Sequence, residues 1–384
     1  MLDNSTLSSL AQKHGTPSFV FDANEAIART AEIKKLLGKT PLCFSIKANP
    51  FLIPVLLDTV DLFEVCSPGE LEICKHYKVP GSMIIYSGVN KGAIDVNEAV
   101  SYGVNALTAE SLRHYELIKE AATAQKKTVD VLLRLSSKSQ FGMSIDDIKT
   151  ILSNADNNIN IAGIHYFAGT QRTKLKHQRE ELQMLKEVFS SLRAEFDIAL
   201  PRLEYGPGLA YPYFDNEDFS DTLSPLKELS EDLKLDWCDL SVEMGRFLAS
   251  SCGYYMTSIA DLKSSYDHNW AILDGGLNHV NYLGQMMGMK VPVIRNLSEK
   301  SGENTNYTLC GSLCTTNDIL VRSYDMTAPA IGDVLVFCNI GAYSITEGIY
   351  LFLSRSLPKV LIYKDGQDTL VRDTMQSWII NTNN

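Results

Sequence analysis

The sequence predicts an α/β chain made of a (β/α)8 TIM barrel and a C-terminal all-β domain, and three patterns carry that prediction. Before residue 250, short apolar runs alternate with stretches of helical periodicity; after residue 252 the helical stretches cease; and glycine or charged residues gather just past the runs. The runs are 42–46 (LCFSI), 61–65 (DLFEV), 83–87 (MIIYS), 104–108 (VNALT), 130–135 (DVLLRL), 161–166 (IAGIHY), 202–205 (RLEY) and 239–243 (DLSVE). Each has the length and aliphatic content of a buried strand. The clearest intervening helix carries Leu182, Leu185, Val188, Phe189, Leu192 and Phe196, whose steps of three and four make one apolar stripe. Eight alternations within about 200 to 250 residues match a closed eight-stranded barrel. A doubly wound open sheet is the rival, but no G-x-G-x-x-G follows the first run.

Beyond residue 252 the segments 253–262, 270–273, 291–294, 307–310, 319–323, 334–338 and 359–363 read as strands, and Tyr363-Lys364-Asp365-Gly366 gives a hairpin turn. Segment 17–21 (PSFVF) precedes the first barrel strand and is expected to join this second domain. The expected division is therefore 24–250 for the barrel, and 1–23 with 251–384 for a discontinuous β-domain.

Composition fits a soluble globular protein, with 384 residues, 45% hydrophobic and 21% charged. A net charge of −11, with no basic run interleaved with aromatics, argues against a nucleic-acid partner. No apolar run reaches about 18 residues, and Met1-Leu2-Asp3-Asn4-Ser5 shows no basic-then-apolar leader, so cytoplasmic localisation without a membrane partner is expected. The eight cysteines contain no C-x-x-C pair and the seven histidines no metal-ligand spacing, so no metal site is expected. His165, inside a strand, reads as a satisfied core residue.

The carboxyl ends of barrel strands face one mouth, where this fold does its chemistry. Lys47 ends the first strand, in Leu42-Cys43-Phe44-Ser45-Ile46-Lys47-Ala48-Asn49-Pro50. There desolvation can lower its pKa and make the amine nucleophilic; the bland reading is a lysine snorkelling to water. Cys66-Ser67-Pro68-Gly69-Glu70 follows the second strand, Phe167-Ala168-Gly169-Thr170-Gln171 the sixth, Gly206-Pro207-Gly208 the seventh and Glu243-Met244-Gly245-Arg246 the eighth. Gly206 and Gly208 let backbone N–H groups approach an anion where barrels commonly seat a phosphate, and Arg246 adds a fork of donors. A lysine for an aldehyde, a phosphate seat and a carboxylate, Glu243, for a protonated ring nitrogen together describe pyridoxal 5′-phosphate.

Those motifs resemble the barrel-type (fold type III) pyridoxal-phosphate decarboxylases of ornithine, arginine and diaminopimelate, over nearly the whole chain. Pro17-Ser18-Phe19-Val20-Phe21-Asp22 is similar to the family's opening strand, Ser45-Ile46-Lys47-Ala48-Asn49-Pro50 to its cofactor-lysine motif, and Phe63-Glu64-Val65-Cys66-Ser67-Pro68-Gly69-Glu70 to its second-strand motif. Glu243-x-Gly245-Arg246 is similar to its ring-nitrogen and phosphate motif, Cys310-Gly311-Ser312-Leu313-Cys314-Thr315-Thr316-Asn317-Asp318 to the segment crossing into the partner subunit, and Gly341-Ala342-Tyr343 to its phosphate-reaching tyrosine. The resemblance implies an alanine racemase-like barrel working as a homodimer with shared active sites. It implies that Lys47 holds the cofactor and that Cys314 of the other chain returns a proton after CO2 leaves. Phe167, Gly206, Gly208, Glu243, Gly245, Arg246 and Tyr343 are the other cofactor positions, and Thr315, Asp318 and Tyr282 the positions expected to meet substrate.

The departures bear on specificity. Phe167 stands where the family stacks a histidine on the ring; a phenyl ring still stacks but donates no proton. Thr315 replaces the acid that pairs with a distal ammonium, and Asp274-Gly275-Gly276 is followed by Asn278, His279, Asn281 and Tyr282 rather than by the arginine that holds diaminopimelate's distal carboxylate. Leaving both charges unpaired would cost several kcal/mol, on the order of a buried unpaired ion. The resemblance then implies an amino acid or conjugate with a masked or tethered far end, as in family members acting on carrier-protein-linked residues or on siderophore and natural-product intermediates. Diaminopimelate decarboxylase of lysine biosynthesis is the alternative. A racemase is disfavoured, because Glu243 stands where racemases place an arginine, and a noncatalytic homologue because Lys47 and Cys314 are both kept.

Overall fold

Eight parallel strands close on themselves: Leu42–Ser45, Leu62–Val65, Ile84–Tyr86, Ala106–Ala109, Val129–Arg134, Ile159–Phe167, Arg202–Gly206 and Asp239–Met244. Every run read from the sequence forms a strand, with its ends displaced by two residues at most. The eighth strand pairs with the first, Cys43 opposite Glu243, so the barrel has no open edge. The long helix Lys176–Phe196 buries Leu182, Leu185, Phe189 and Leu192, the stripe seen in the sequence. The computed structural model describes residues 1–282, 288–298 and 300–383.

Inward positions on a strand are two residues apart. One inward layer of the barrel is an apolar plug of Cys43, Ile85, Ala106, Leu132 and Ala162, edged by Leu62. Two residues further along, the inward side chains turn polar: Ser45, Glu64, Ser87, Thr108 and Arg134, with His165, Glu204 and Glu243 from the remaining strands, all buried. Such a layer is stable only when its members satisfy one another. Ser87 and Thr108 hydroxyls meet at 3.1 Å, and Arg134 Nη1 donates to Glu110 Oε1 at 2.9 Å.

The chain divides into two compact units: Arg29–Tyr211 with Asp221–Leu248, which holds the barrel, and Met1–Ala28 with Pro212–Ser220 and Ala249–Asn384. In the second unit the sheet runs Ile319–Thr327, Asn304–Cys310, His268–Leu273, Gly253–Ser265, Ser18–Asp22, Lys359–Lys364, Gln367–Arg372, with Val334–Cys338 pairing both Gly253–Ser265 and Ile294–Asn296. The expected strand 291–294 lies later, at Ile294–Asn296, and Asp365 and Gly366, both at positive φ, make the hairpin turn. Segment 212–220, assigned to the barrel from sequence, belongs to this unit because Asp215 N donates to Val291 O at 2.9 Å and Val293 N to Tyr213 O at 3.3 Å. A helix not foreseen, Asn4–His14, starts at Asp3, whose carboxylate accepts Thr6 N at 2.8 Å. It buries Leu7 and Leu10 in a cluster with Val20, Tyr254, Met256, Val336 and Leu361.

In the barrel unit, Lys91 is 5% exposed and donates to the Gly88 carbonyl. Burial pushes its ammonium down to about 8. Between that value and the ordinary 10.5 the unfolded chain binds more protons, so stability rises with pH across the window and the full cost is present below it. Lys91→Met is expected to stabilise the protein at neutral pH by about 2 kcal/mol and to flatten that rise. Urea titrations at several pH values check this; a wild type with no rise above pH 8 would contradict it.

Candidate active site

The first barrel strand runs directly into a 3-10 turn, Ile46–Ala48, which carries Lys47. Asn49 ends the turn, its side chain accepting Phe51 N at 3.1 Å, and Pro50 opens the next. Lys47 Nζ donates to Glu64 Oε2 at 2.6 Å and lies 3.5 Å from Cys66 Sγ and 3.6 Å from Glu243 Oε1. The desolvated lysine expected from the strand-end position is corrected here. With 37% of its side chain exposed and two carboxylates beside it, the amine has water and anions around it rather than an apolar wall.

Glu243 is held at both oxygens. Ser45 Oγ donates to Oε1 at 2.9 Å, and His165 Nε2 lies 3.1 Å from Oε2. Burial by itself would raise this carboxyl; Lys47 and His165 outweigh burial and hold it well below the usual carboxylate range. An ionised carboxylate only accepts, so His165 Nε2 carries the hydrogen. Glu64 is the second acid, its Oε1 accepting from Cys66 Sγ at 3.1 Å. Burial and then Glu64 push the Cys66 thiol well above its ordinary value, so it serves as a neutral donor.

Much of the second-strand motif starts a helix. Ser67 caps Pro68–His76, its hydroxyl accepting Glu70 N at 3.2 Å, while Glu70 Oε2 reaches back to Cys66 N at 2.6 Å. Gly206 faces Phe167 across the sixth and seventh strands, and a Cβ there would run into the phenyl ring. Its missing side chain is what lets Phe167 lie over the seventh strand. Gly208 sits at φ +61°, where a Cβ would land on the Gly169 carbonyl, and its own carbonyl accepts Arg172 N at 2.9 Å. The loops after strands six and seven are thus joined backbone to backbone. After the eighth strand, Gly245 separates Met244 from the buried Arg246, which opens the short helix Arg246–Ala249.

The β unit carries the remaining expected positions. Tyr343 holds φ +68°, a strained value for an aromatic residue, in the turn before Ser344–Glu347. Cys314 and Thr315 are exposed on a loop organised by Asp318. Asp318 Oδ2 accepts Leu313 N at 2.7 Å and Oδ1 accepts Leu277 N at 2.8 Å, and a Cβ on Gly276 or Gly311 would collide with the same carboxylate. The expectation that Asp318 meets substrate is therefore corrected: its oxygens are buried and engaged in shaping the Cys314 loop. Tyr282 is corrected likewise. It is 1% exposed, its hydroxyl donates to Cys338 O at 2.6 Å, and it packs on Tyr213 with ring centroids 5.6 Å apart.

Sequence reasoning quoted Glu64 without a role, took His165 for core and did not weigh Ser45 or Glu204. The signal that finds them is the inward, period-two position on each strand. The barrel's donor set fits pyridoxal 5′-phosphate: an accessible amine on a short turn, a carboxylate already ionised for a ring nitrogen, and glycine loops closed to any side chain.

The family model for the pyridoxal binding domain of pyridoxal-dependent decarboxylases matches residues 23–250. The chain belongs to that family, a carboxy-lyase whose cofactor is pyridoxal 5′-phosphate. It is 25% identical to the L-glutamyl-[BtrI acyl-carrier protein] decarboxylase of Niallia circulans, over 97% of this chain and 94% of that one. It is 24% identical to the diaminopimelate decarboxylase of Aquifex aeolicus, over 97% and 92%. In fold it is similar to Helicobacter pylori diaminopimelate decarboxylase solved with L-lysine, with a TM-score of 0.87 at 19% identity, covering 98% of this chain and 99% of that one.

Gly208→Ala is expected to cost about 2 kcal/mol of stability and to weaken pyridoxal 5′-phosphate about tenfold, read by titrating the visible absorbance of the bound cofactor. Unchanged affinity would detach this loop from the phosphate.

Proposed function

We propose that the enzyme removes the α-carboxylate of an amino acid whose far end is neutral, masked or tethered, such as a residue on an acyl carrier protein or within a siderophore or natural-product intermediate. One observation carries the reading. The loop that presents Cys314 follows it with Thr315 and binds a cation, Arg355, whose exposed guanidinium donates from Nη2 to Ser312 O at 2.7 Å. A free distal ammonium would meet a threonine and a positive charge there, while the Asp318 carboxylate of the same loop is buried and already engaged by backbone N–H groups. The similarity to a decarboxylase of a carrier-borne glutamyl group supports the reading.

When bound, pyridoxal 5′-phosphate supplies the sink for the electron pair that CO2 leaves behind. Lys47 Nζ would hold the aldehyde, and Glu64, within hydrogen-bond reach of that amine, would take and return its proton. Glu243 would keep a hydrogen on the ring nitrogen, and Phe167 would offer an apolar surface to the ring. Gly206, Gly208, Gly245, Arg246 and Tyr343 seat the phosphate. Cys314, from a second copy of the chain, returns a proton to the α-carbon.

Association into that homodimer is supported by an apolar patch on the β unit, where Ile349, Leu351, Phe352, Trp378, Ile379 and Ile380 are exposed and Asn381 Nδ2 ties the two segments by donating to Leu351 O at 2.9 Å. We also assign the protein to the cytoplasm, a reading that eight unpaired thiols support.

CO2 release from free diaminopimelate, free amino acids and carrier-loaded aminoacyl groups tests the substrate class; turnover of diaminopimelate at the best kcat/KM would overturn it in favour of lysine biosynthesis. Cys314→Ala is expected to keep the cofactor colour and lose about a hundredfold in kcat, and undiminished kcat would remove the thiol from proton return. Thr315→Glu should raise kcat/KM for diamino acids by about tenfold, measured against the wild type on the same panel.

A further inference from the structure

Among the buried polar atoms that have no hydrogen-bond partner among the described residues are Nδ1 of His165 and Oε1 of Glu204, which stand on neighbouring barrel strands. Their residues are paired across the sixth and seventh strands, His165 opposite Glu204. Both are 1% exposed, so bulk water does not compensate either atom, and each orphan is destabilising as it stands. The other end of each side chain is engaged. His165 Nε2 donates to Glu243 Oε2 at 3.1 Å, while Glu204 Oε2 accepts from Arg202 Nη2 at 3.1 Å and from Ser241 Oγ.

The two orphans are complementary. With its hydrogen on Nε2, a neutral imidazole presents Nδ1 as a bare acceptor, and a protonated Glu204 presents the matching donor on Oε1. We propose that Glu204, His165 and Glu243 form one buried relay, in which neutral Glu204 hands a hydrogen bond to His165 Nδ1, directly or through one enclosed water, and so fixes the tautomer that keeps Glu243 an anion aimed at the cofactor ring. Burial supports the neutral form by raising the Glu204 carboxyl against the pull of Arg202, Ser241 and His165, and nearby Glu243 acts in the same direction as burial. The other ionisable groups facing the pair are consistent with this charge count. Lys47 and Glu64 are ion-paired, Arg202 is shared between Glu204 and Asn105, and burial keeps the Cys43 thiol neutral. His165 and Glu204 are positioning residues that act through Glu243.

The relay rests on Glu243 serving the ring nitrogen, and one set of variants separates the two ideas. The enzyme loaded with pyridoxal 5′-phosphate is read by the pH titration of its visible absorbance, and by kcat and KM separately. Glu204→Gln keeps a neutral donor and should stay within about threefold of wild-type kcat with an unmoved titration. Glu204→Met removes the donor, so Glu243 loses support and the acid limb should move up by about one pH unit, with kcat down about tenfold at constant KM. His165→Leu should produce the same change, and the double variant no more than either. Glu204→Gln as harmful as Glu204→Met overturns the neutral assignment even where the Met variant fails to fold. An unmoved titration in Glu204→Met beside a moved one in Glu243→Gln overturns the relay alone; both unmoved overturns the role of Glu243.

Discussion

Glu243 stays ionised inside a barrel because groups far away in the chain are brought to it by closure. Ser45 donates to it across 198 residues of sequence, and Lys47 approaches from the same first strand. In an open sheet the first and eighth strands would be opposite edges. Only when they pair, Cys43 against Glu243, do amine and acid share one mouth. The pairing of this amine with this acid is therefore a direct consequence of the backbone hydrogen bonds that seal the barrel. The apolar plug of Cys43, Ile85, Ala106 and Leu132 provides the dry floor on which such a charge pair keeps its strength.

The eight barrel strands were legible because parallel strands buried on both faces read as apolar runs, whose hydrophobic content does not depend on neighbours. The polar layer was not. Glu64, His165 and Glu204 sit inside those runs, where a search for apolar content treats them as blemishes; their meaning appears once period-two positions from all strands are collected on one level. The helix Asn4–His14 has a modest apolar face that becomes informative only against Tyr254 and Leu361, which are distant in sequence. Segment 212–220 escaped for a similar reason, since its strand-like contacts are to residues 291–293.

Two glycines expected at the site turned out to have packing reasons that a motif does not reveal. Gly206 accommodates Phe167, and Gly208 accommodates Gly169, so both glycines are required by the protein before any phosphate is considered. These readings are compatible: a loop pressed against its neighbour has few alternative conformations, which is what presenting N–H groups to an anion requires. Phe167 benefits directly. Its ring takes the space that a side chain at Gly206 would fill.

Asp318 serves structure within the β unit. Both its oxygens hold backbone N–H groups, at Leu277 and Leu313, and burial raises its carboxyl, so it is committed to the loop and unsuited to recognising a free ammonium. What the loop exposes is Cys314, Thr315 and the bound Arg355 guanidinium. A thiol, a hydroxyl and a cation can donate hydrogen bonds to carbonyl, amide or anionic groups. They offer no negative charge to the distal ammonium of a diamino acid. Under the proposed function, discrimination among substrates would fall on what stands beyond the α-carbon, and the chemistry on the acids of the barrel.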